Sequence, residues 1–143
     1  MHSKKARISA LFLLVSILLT TAGFAYVPEP DEINASLYIA ERSASCSATG
    51  NGRVKVSFEL FGTGVMSMIG STTVKVYQSN GTCVATYTYH NYPSMMSYNT
   101  VYHSSSITYY GVSGQSYYAK VTVCAYNSTG GDVRIITTNT VTA

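Results

Sequence analysis

Beyond residue 35 the apolar positions of this chain recur at every second residue and not at helical spacing. Residues 53–60 show the pattern best. Val54, Val56, Phe58 and Leu60 point one way, while Arg53, Lys55, Ser57 and Glu59 point the other. One face packs and the other meets water, as in an antiparallel sheet. Residues 72–78 and 83–89 read as two further strands around Ser79-Asn80-Gly81-Thr82. Asn-Gly between alternating runs predicts a two-residue type I′ turn. That turn pairs Gln78 with Cys83, Val76 with Ala85 and Val74 with Tyr87. Cross-strand partners share a face, so this register points Cys83 inward. Residues 104–110 form a short strand and 116–126 a long one. The long strand turns Tyr117, Ala119, Val121, Val123 and Ala125 inward, and Lys120, Thr122 and Cys124 outward. Residues 132–142 close the chain, and residues 36–47 give a first strand with weaker alternation.

About seven strands, turns at short intervals and no helical pattern in this region predict a single all-β antiparallel β-sandwich, immunoglobulin/fibronectin-like in character. Gly111-Val112-Ser113-Gly114-Gln115-Ser116-Tyr117, followed by alternating apolar residues, resembles the turn into the penultimate strand of such domains. There a tyrosine hydroxyl ties the corner to the backbone. Tyr117 and Tyr118 compete for that role.

The beginning of the chain is different. Lys4, Lys5 and Arg7 precede an apolar run over residues 8–19, and Gly23 and Ala25 are small residues before a cleavage point at Tyr26. This order is that of a secretory signal peptide. The run is shorter than the ~20 residues of a spanning helix, so no membrane span is expected after cleavage. The organisation is then residues 1–25 as signal peptide, 26–34 as a flexible acidic tail and 35–143 as the β-domain. The protein is expected outside the cell, secreted or associated with the envelope. Removing the leader also removes the net charge. Arg42, Arg53, Lys55, Lys75, Lys120 and Arg134 balance Glu29, Asp31, Glu32, Glu41, Glu59 and Asp132. A neutral chain gives no electrostatic case for nucleic acid.

Several features carry a resemblance. An alternating strand leads into Gly64-Val65-Met66-Ser67-Met68-Ile69-Gly70, then the Asn-Gly hairpin, then Tyr92-Pro93-Ser94-Met95-Met96, then a tyrosine-rich and a threonine-rich strand. Over residues 36–143 this is similar to a family of small secreted proteins of Gram-positive bacteria whose function is uncharacterised. The resemblance implies export and a single β-domain. It supplies no catalytic or ligand-binding residues.

Outside the tail only Glu41, Glu59 and Asp132 carry carboxylates, too few and too scattered for paired acid–base work. His90, His103 and Cys83 are the remaining candidates for a metal site or a Cys–His nucleophile, at a spacing that fits no compact motif. Gly62-Thr63-Gly64 lacks the third glycine and the helix of a nucleotide loop, and reads as a bulge between strands. Asp132 beside Gly130-Gly131 is a lone calcium candidate. No cofactor is expected. The three cysteines leave one thiol over; by face parity Cys46–Cys124 is the more plausible bridge.

All 13 tyrosines lie beyond the leader. The connection 88–104 is long for a β-domain, and such loops often carry function. Tyr89, Tyr92, Met95, Tyr98 and Tyr102 in and beside it are the candidate ligand-binding residues. Exposed tyrosine offers a flat amphipathic surface to a protein or a glycan. The alternative is that these side chains fold back as a lid on the core. The reading is a binder rather than an enzyme: an interaction or structural protein first, a carbohydrate-binding module second, and a His/Cys enzyme as a remote third.

Overall fold

The computed structural model describes residues 36–143. The expected signal peptide, the whole of the expected tail and the expected domain start at residue 35 lie outside those residues. The strands are β1 (Ile39–Gly50), β2 (Arg53–Met66), β3 (Met68–Gln78), β4 (Cys83–Thr88), β5 (Met96–Ser97), β6 (Thr100–Tyr110), β7 (Ser116–Asn127), β8 (Gly130–Thr137) and β9 (Val141–Thr142). A single 3-10 turn, Pro93–Met95, lies between β4 and β5. Among the described residues no helix is long and apolar enough to cross a membrane.

Two antiparallel sheets face each other. Sheet A has the order β1-β2-β6, and sheet B has the order β4-β3-β7-β8, with β5 added to β3 and β9 to β7. Seven principal strands in this three-plus-four arrangement have the topology of a fibronectin-like sandwich. Between the sheets lie the predicted alternating positions: Val54, Val56, Phe58 and Leu60 of β2 against Tyr117, Ala119, Val121, Val123 and Ala125 of β7. Each large side chain so buried contributes about 1.5–3 kcal/mol over an exposed position. The corner is also as expected, and the structure selects its tyrosine. The Val112 N–H donates to the Tyr117 hydroxyl at 2.9 Å. Tyr118, one residue on, faces outward from sheet B against Tyr77. Gly111 lets the corner close, because a Cβ there would come within 2.8 Å of the Tyr109 and Tyr117 rings.

The strand boundaries explain how the chain changes sheets. Only Ser67 separates β2 from β3, so one long bent strand passes from sheet A to sheet B. The pairing of β2 with β6 is irregular between Phe61 and Met66, where Gly62-Thr63-Gly64 sits. The glycine pair is thus a bulge that bends the strand toward the second sheet. Met66 and Ile69, on either side of the crossing, are both buried.

The β3–β4 hairpin corrects the predicted turn. Val74↔Tyr87 and Val76↔Ala85 pair as expected, but Tyr77, not Gln78, faces Cys83, and Val84 is an extra residue on β4. A type I′ turn needs positive φ at both central residues, and Gly81 alone supplies it here (φ 89°). The Asn80 carboxamide oxygen accepts the Thr82 N–H at 2.9 Å. The loop spans three residues, with the Gln78 N–H reaching the Thr82 carbonyl at 2.9 Å. The added residue flips the strand by one position and leaves Cys83 exposed. The positive φ pair belongs to the other Asn-Gly, Asn51-Gly52 (φ 55° and 75°), between β1 and β2.

Candidate functional site

The connection after β4 is short and stitched down. β6 begins at Thr100, four residues before its predicted start. Between the strands, the Asn91 and Tyr92 N–H groups donate to the Thr88 carbonyl, and the Met95 N–H donates to the Tyr92 carbonyl. Pro93 starts the 3-10 turn, where its missing N–H costs no bond. The chain then pairs Met96 and Ser97 with Gly70 and Ile69 of β3. Gly70 permits this close approach: a Cβ there would meet the Met95 carbonyl oxygen at 2.3 Å.

The five predicted contact residues therefore do not form one surface. Met95 is fully buried and belongs to the central core. This corrects its assignment as a contact residue: the 3-10 turn drives its side chain into the open end of the sandwich. Tyr89 is half-buried and packs on the core's margin. Tyr92 is exposed and meets the Tyr87 ring edge-on at 5.1 Å. Tyr98 and Tyr102 are exposed and lie at the end of sheet A where β6 begins. The lid reading describes Met95 and Tyr89, and the surface reading describes Tyr98 and Tyr102.

Several exposed apolar side chains lie at that end of sheet A. Phe61 of β2 and Tyr102 of β6 are cross-strand partners. Their ring centroids lie 4.6 Å apart. The Tyr102 hydroxyl donates to Glu59 Oε1 at 2.6 Å, and this bond to a carboxylate holds the phenol proton and raises its pKa. Val65 on β2 and Val101 on β6 flank the segment where Met66 pairs with Thr100, and both are exposed, Val65 by 68%. Asn99 takes a left-handed φ of 53° beside Tyr98. Its N–H reaches the Ser67 carbonyl at 3.4 Å, which fixes the turn into β6. Phe61 and Val65 were missed in sequence because the alternating run was ended at Leu60. Continuing the alternation one residue puts Phe61 outward.

The titratable side chains are dispersed. His103 is buried on the inner face of sheet A, with Nδ1 2.8 Å from Ser97 Oγ and the ring stacked on Phe58 at 5.8 Å. Burial holds its pKa below the ordinary histidine value, and Nε2 has no hydrogen-bond partner among the described residues. His90 is exposed past the end of β4, against the Tyr89 ring. Cys83 lies at the other end of that strand. Among the described residues no three His, Cys, Asp or Glu side chains gather as metal ligands. Asp132 instead bonds Ser36 Oγ and the Tyr38 N–H, which with the Arg134 guanidinium at 3.7 Å depresses its pKa. It anchors the start of the domain to β8.

The expected Cys46–Cys124 bridge is not formed, and all three cysteines are free thiols. Cys46 faces inward, its Sγ 3.1 Å from Thr138 Oγ1, which itself accepts the Ala119 N–H. Cys124 lies five residues further along β7 on the outer face, paired with Gly70. The strand's own backbone and roughly 17 Å of rise separate the two thiols, far beyond disulfide reach. Met96 over Gly70 closes the outer face at that point. Burial pushes the Cys124 thiol up to about 11 and also raises Cys46.

The chain matches no protein-family model, no curated protein and no solved structure.

Proposed function

We propose that this chain is a non-enzymatic protein of the cell exterior, secreted or held at the envelope, and that it works by binding a partner protein through the aromatic end of sheet A. One observation carries the reading: the Phe61 and Tyr102 rings meet across neighbouring strands, tilted by 40°, and remain exposed, with Val65, Tyr98 and Val101 exposed at the same sheet end. Aromatic side chains on rigid strands lose little entropy on docking and supply most of the energy at protein interfaces. The Glu59 bond fixes Tyr102 before any partner arrives. The leader-like first 25 residues and the resemblance to small secreted Gram-positive proteins support the location.

A second reading has its own support. Tyr98 and Tyr102 are exposed on one end of the sheet, as a carbohydrate-binding module requires. Phe61, an apolar ring with no hydroxyl set against Tyr102, favours the protein partner. The test sets the wild-type chain beside a Phe61→Ser/Tyr102→Ser double variant on a glycan array and on isolated cell envelopes. Envelope binding that the double substitution removes, with a blank array, supports the protein partner. A specific glycan signal lost in the same variant supports the module. Binding unchanged by the double substitution refutes both.

A further inference from the structure

The outer face of sheet B has an unusual charge arrangement. Lys75 of β3 and Lys120 of β7 are directly opposed. Like charges at such positions destabilise a sheet, and no acid among the described residues pairs with them. The described carboxylates are Glu41 and Glu59 on sheet A and Asp132, which is committed to Ser36, Tyr38 and Arg134. Neither lysine makes an ion pair within the described residues. In the next row Tyr77 and Tyr118 are also directly paired, with their rings stacked at 5.2 Å and 12°. The Lys120 ammonium sits 5.6 Å from the Tyr77 centroid, which holds it in place.

Hydroxyls surround the lysine pair. Thr86 opposite Lys75 and Thr137 opposite Lys120 extend the row across all four strands. Thr73 and Thr122 follow in the adjoining row. The apolar side chains Val133 and Ile135 are confined to the β8 margin.

From this arrangement we infer that the outer face of sheet B binds an acidic polysaccharide, with Lys75 and Lys120 converging on a carboxylate of the sugar chain. Two lysines on directly opposed positions, with no acidic partner among the described residues, gain one from a single anionic group. The threonine and tyrosine hydroxyls meet a ligand that is itself covered in hydroxyls. The positions flanking the lysines in their own row, Thr86 and Thr137, carry hydroxyls and no apolar side chain. Two cations neutralise about two phosphates, well short of what a nucleic-acid binder uses. This site lies on the opposite sheet from the aromatic end and stands independently of it.

The experiment is calorimetric titration of the full chain with polygalacturonate, and with its fully methyl-esterified, uncharged form as control. Binding of the acid form only, weakened at least about tenfold by Lys75→Gln/Lys120→Gln and less than about twofold by Lys55→Gln on the other sheet, supports the site. Weakening with salt in the wild type, and a flatter salt dependence in the double variant, is the accompanying expectation. The double variant removes a like-charge repulsion, so its melting temperature stays level or rises, which separates lost binding from lost fold. The inference is overturned by no binding of the acid form, by equal binding of the esterified form, or by equal affinity in the double variant. Loss through Phe61→Ser/Tyr102→Ser instead, or equal binding of single-stranded DNA or phosphatidylserine vesicles, also overturns it.

Discussion

Met95→Ala separates a structural from a binding role for the connection after β4. The side chain is wholly buried, in contact with the core between the sheets. Truncation removes the buried thioether and leaves a cavity that the surrounding strands fill only in part. The adjoining backbone is held by the β3–β5 pairing and the tight approach to Gly70, so it has little room to collapse. Core Met-to-Ala changes cost about 2–5 kcal/mol, a large share of the roughly 5–15 kcal/mol that holds a domain together. With a urea slope of about 1–3 kcal/mol per molar, the midpoint falls by about a molar or more. Equilibrium urea unfolding followed by circular dichroism measures it. Tyr92→Ala, which loses an edge contact with Tyr87, costs about 0.5–1.5 kcal/mol. Tyr98→Ala, 59% exposed, stays within about 0.5 kcal/mol of wild type. A Met95→Ala midpoint equal to that of Tyr98→Ala would refute the reasoning and return Met95 to the surface.

Three further outcomes are expected. Tyr117→Phe removes the corner bond to Val112 and costs about 0.5–1.5 kcal/mol, whereas Tyr118→Phe is close to neutral; thermal melts of the two variants that ran in the opposite order would contradict the corner. His103 has a folded pKa below 6.5, so as pH falls through 6.5 the unfolded chain takes up a proton that the folded chain resists. Stability then declines toward acid by up to about 1.4 kcal/mol per pH unit, and His103→Asn flattens the profile between pH 5 and 7 in chemical denaturation read at each pH. Cys83 is the exposed thiol, so native titration with a thiol reagent modifies one cysteine per chain and denatured titration three, while a native count other than one would contradict the bulged hairpin.

The facing of most strands was readable from alternation, because a sandwich strand buries one side and wets the other. Val54 to Leu60 follow that rule without a break, and Tyr117 to Ala125 depart from it only at Cys124, which is buried on the outer face. The corner tyrosine was narrowed to two neighbours, and strand parity decided between them. Cys83 was misread because the face of a whole strand end turned on the φ of one residue, Asn80. A local bond to Thr82 set that angle against the expectation from the Asn-Gly pair. Met95 was misplaced for a different reason. Its burial depends on Gly70, distant in sequence, and on a strand pairing of two residues that no periodicity reveals. The Cys46–Cys124 assignment failed because the weak alternation of β1, with a register shift between Ile39 and Glu41, concealed that Cys46 points inward. The lysine pair was open to reading once the β3–β7 register was known, since both residues alternate outward.

The central claim is that this domain binds through the aromatic end of sheet A. The direct measurement is binding of the labelled chain to cell envelopes of the source organism, before and after protease treatment, for wild type, Phe61→Ser/Tyr102→Ser and Tyr92→Ala. The account predicts saturable binding that protease abolishes, that the double variant loses and that Tyr92→Ala keeps. Saturable binding retained in full by a folded Phe61→Ser/Tyr102→Ser variant would contradict it.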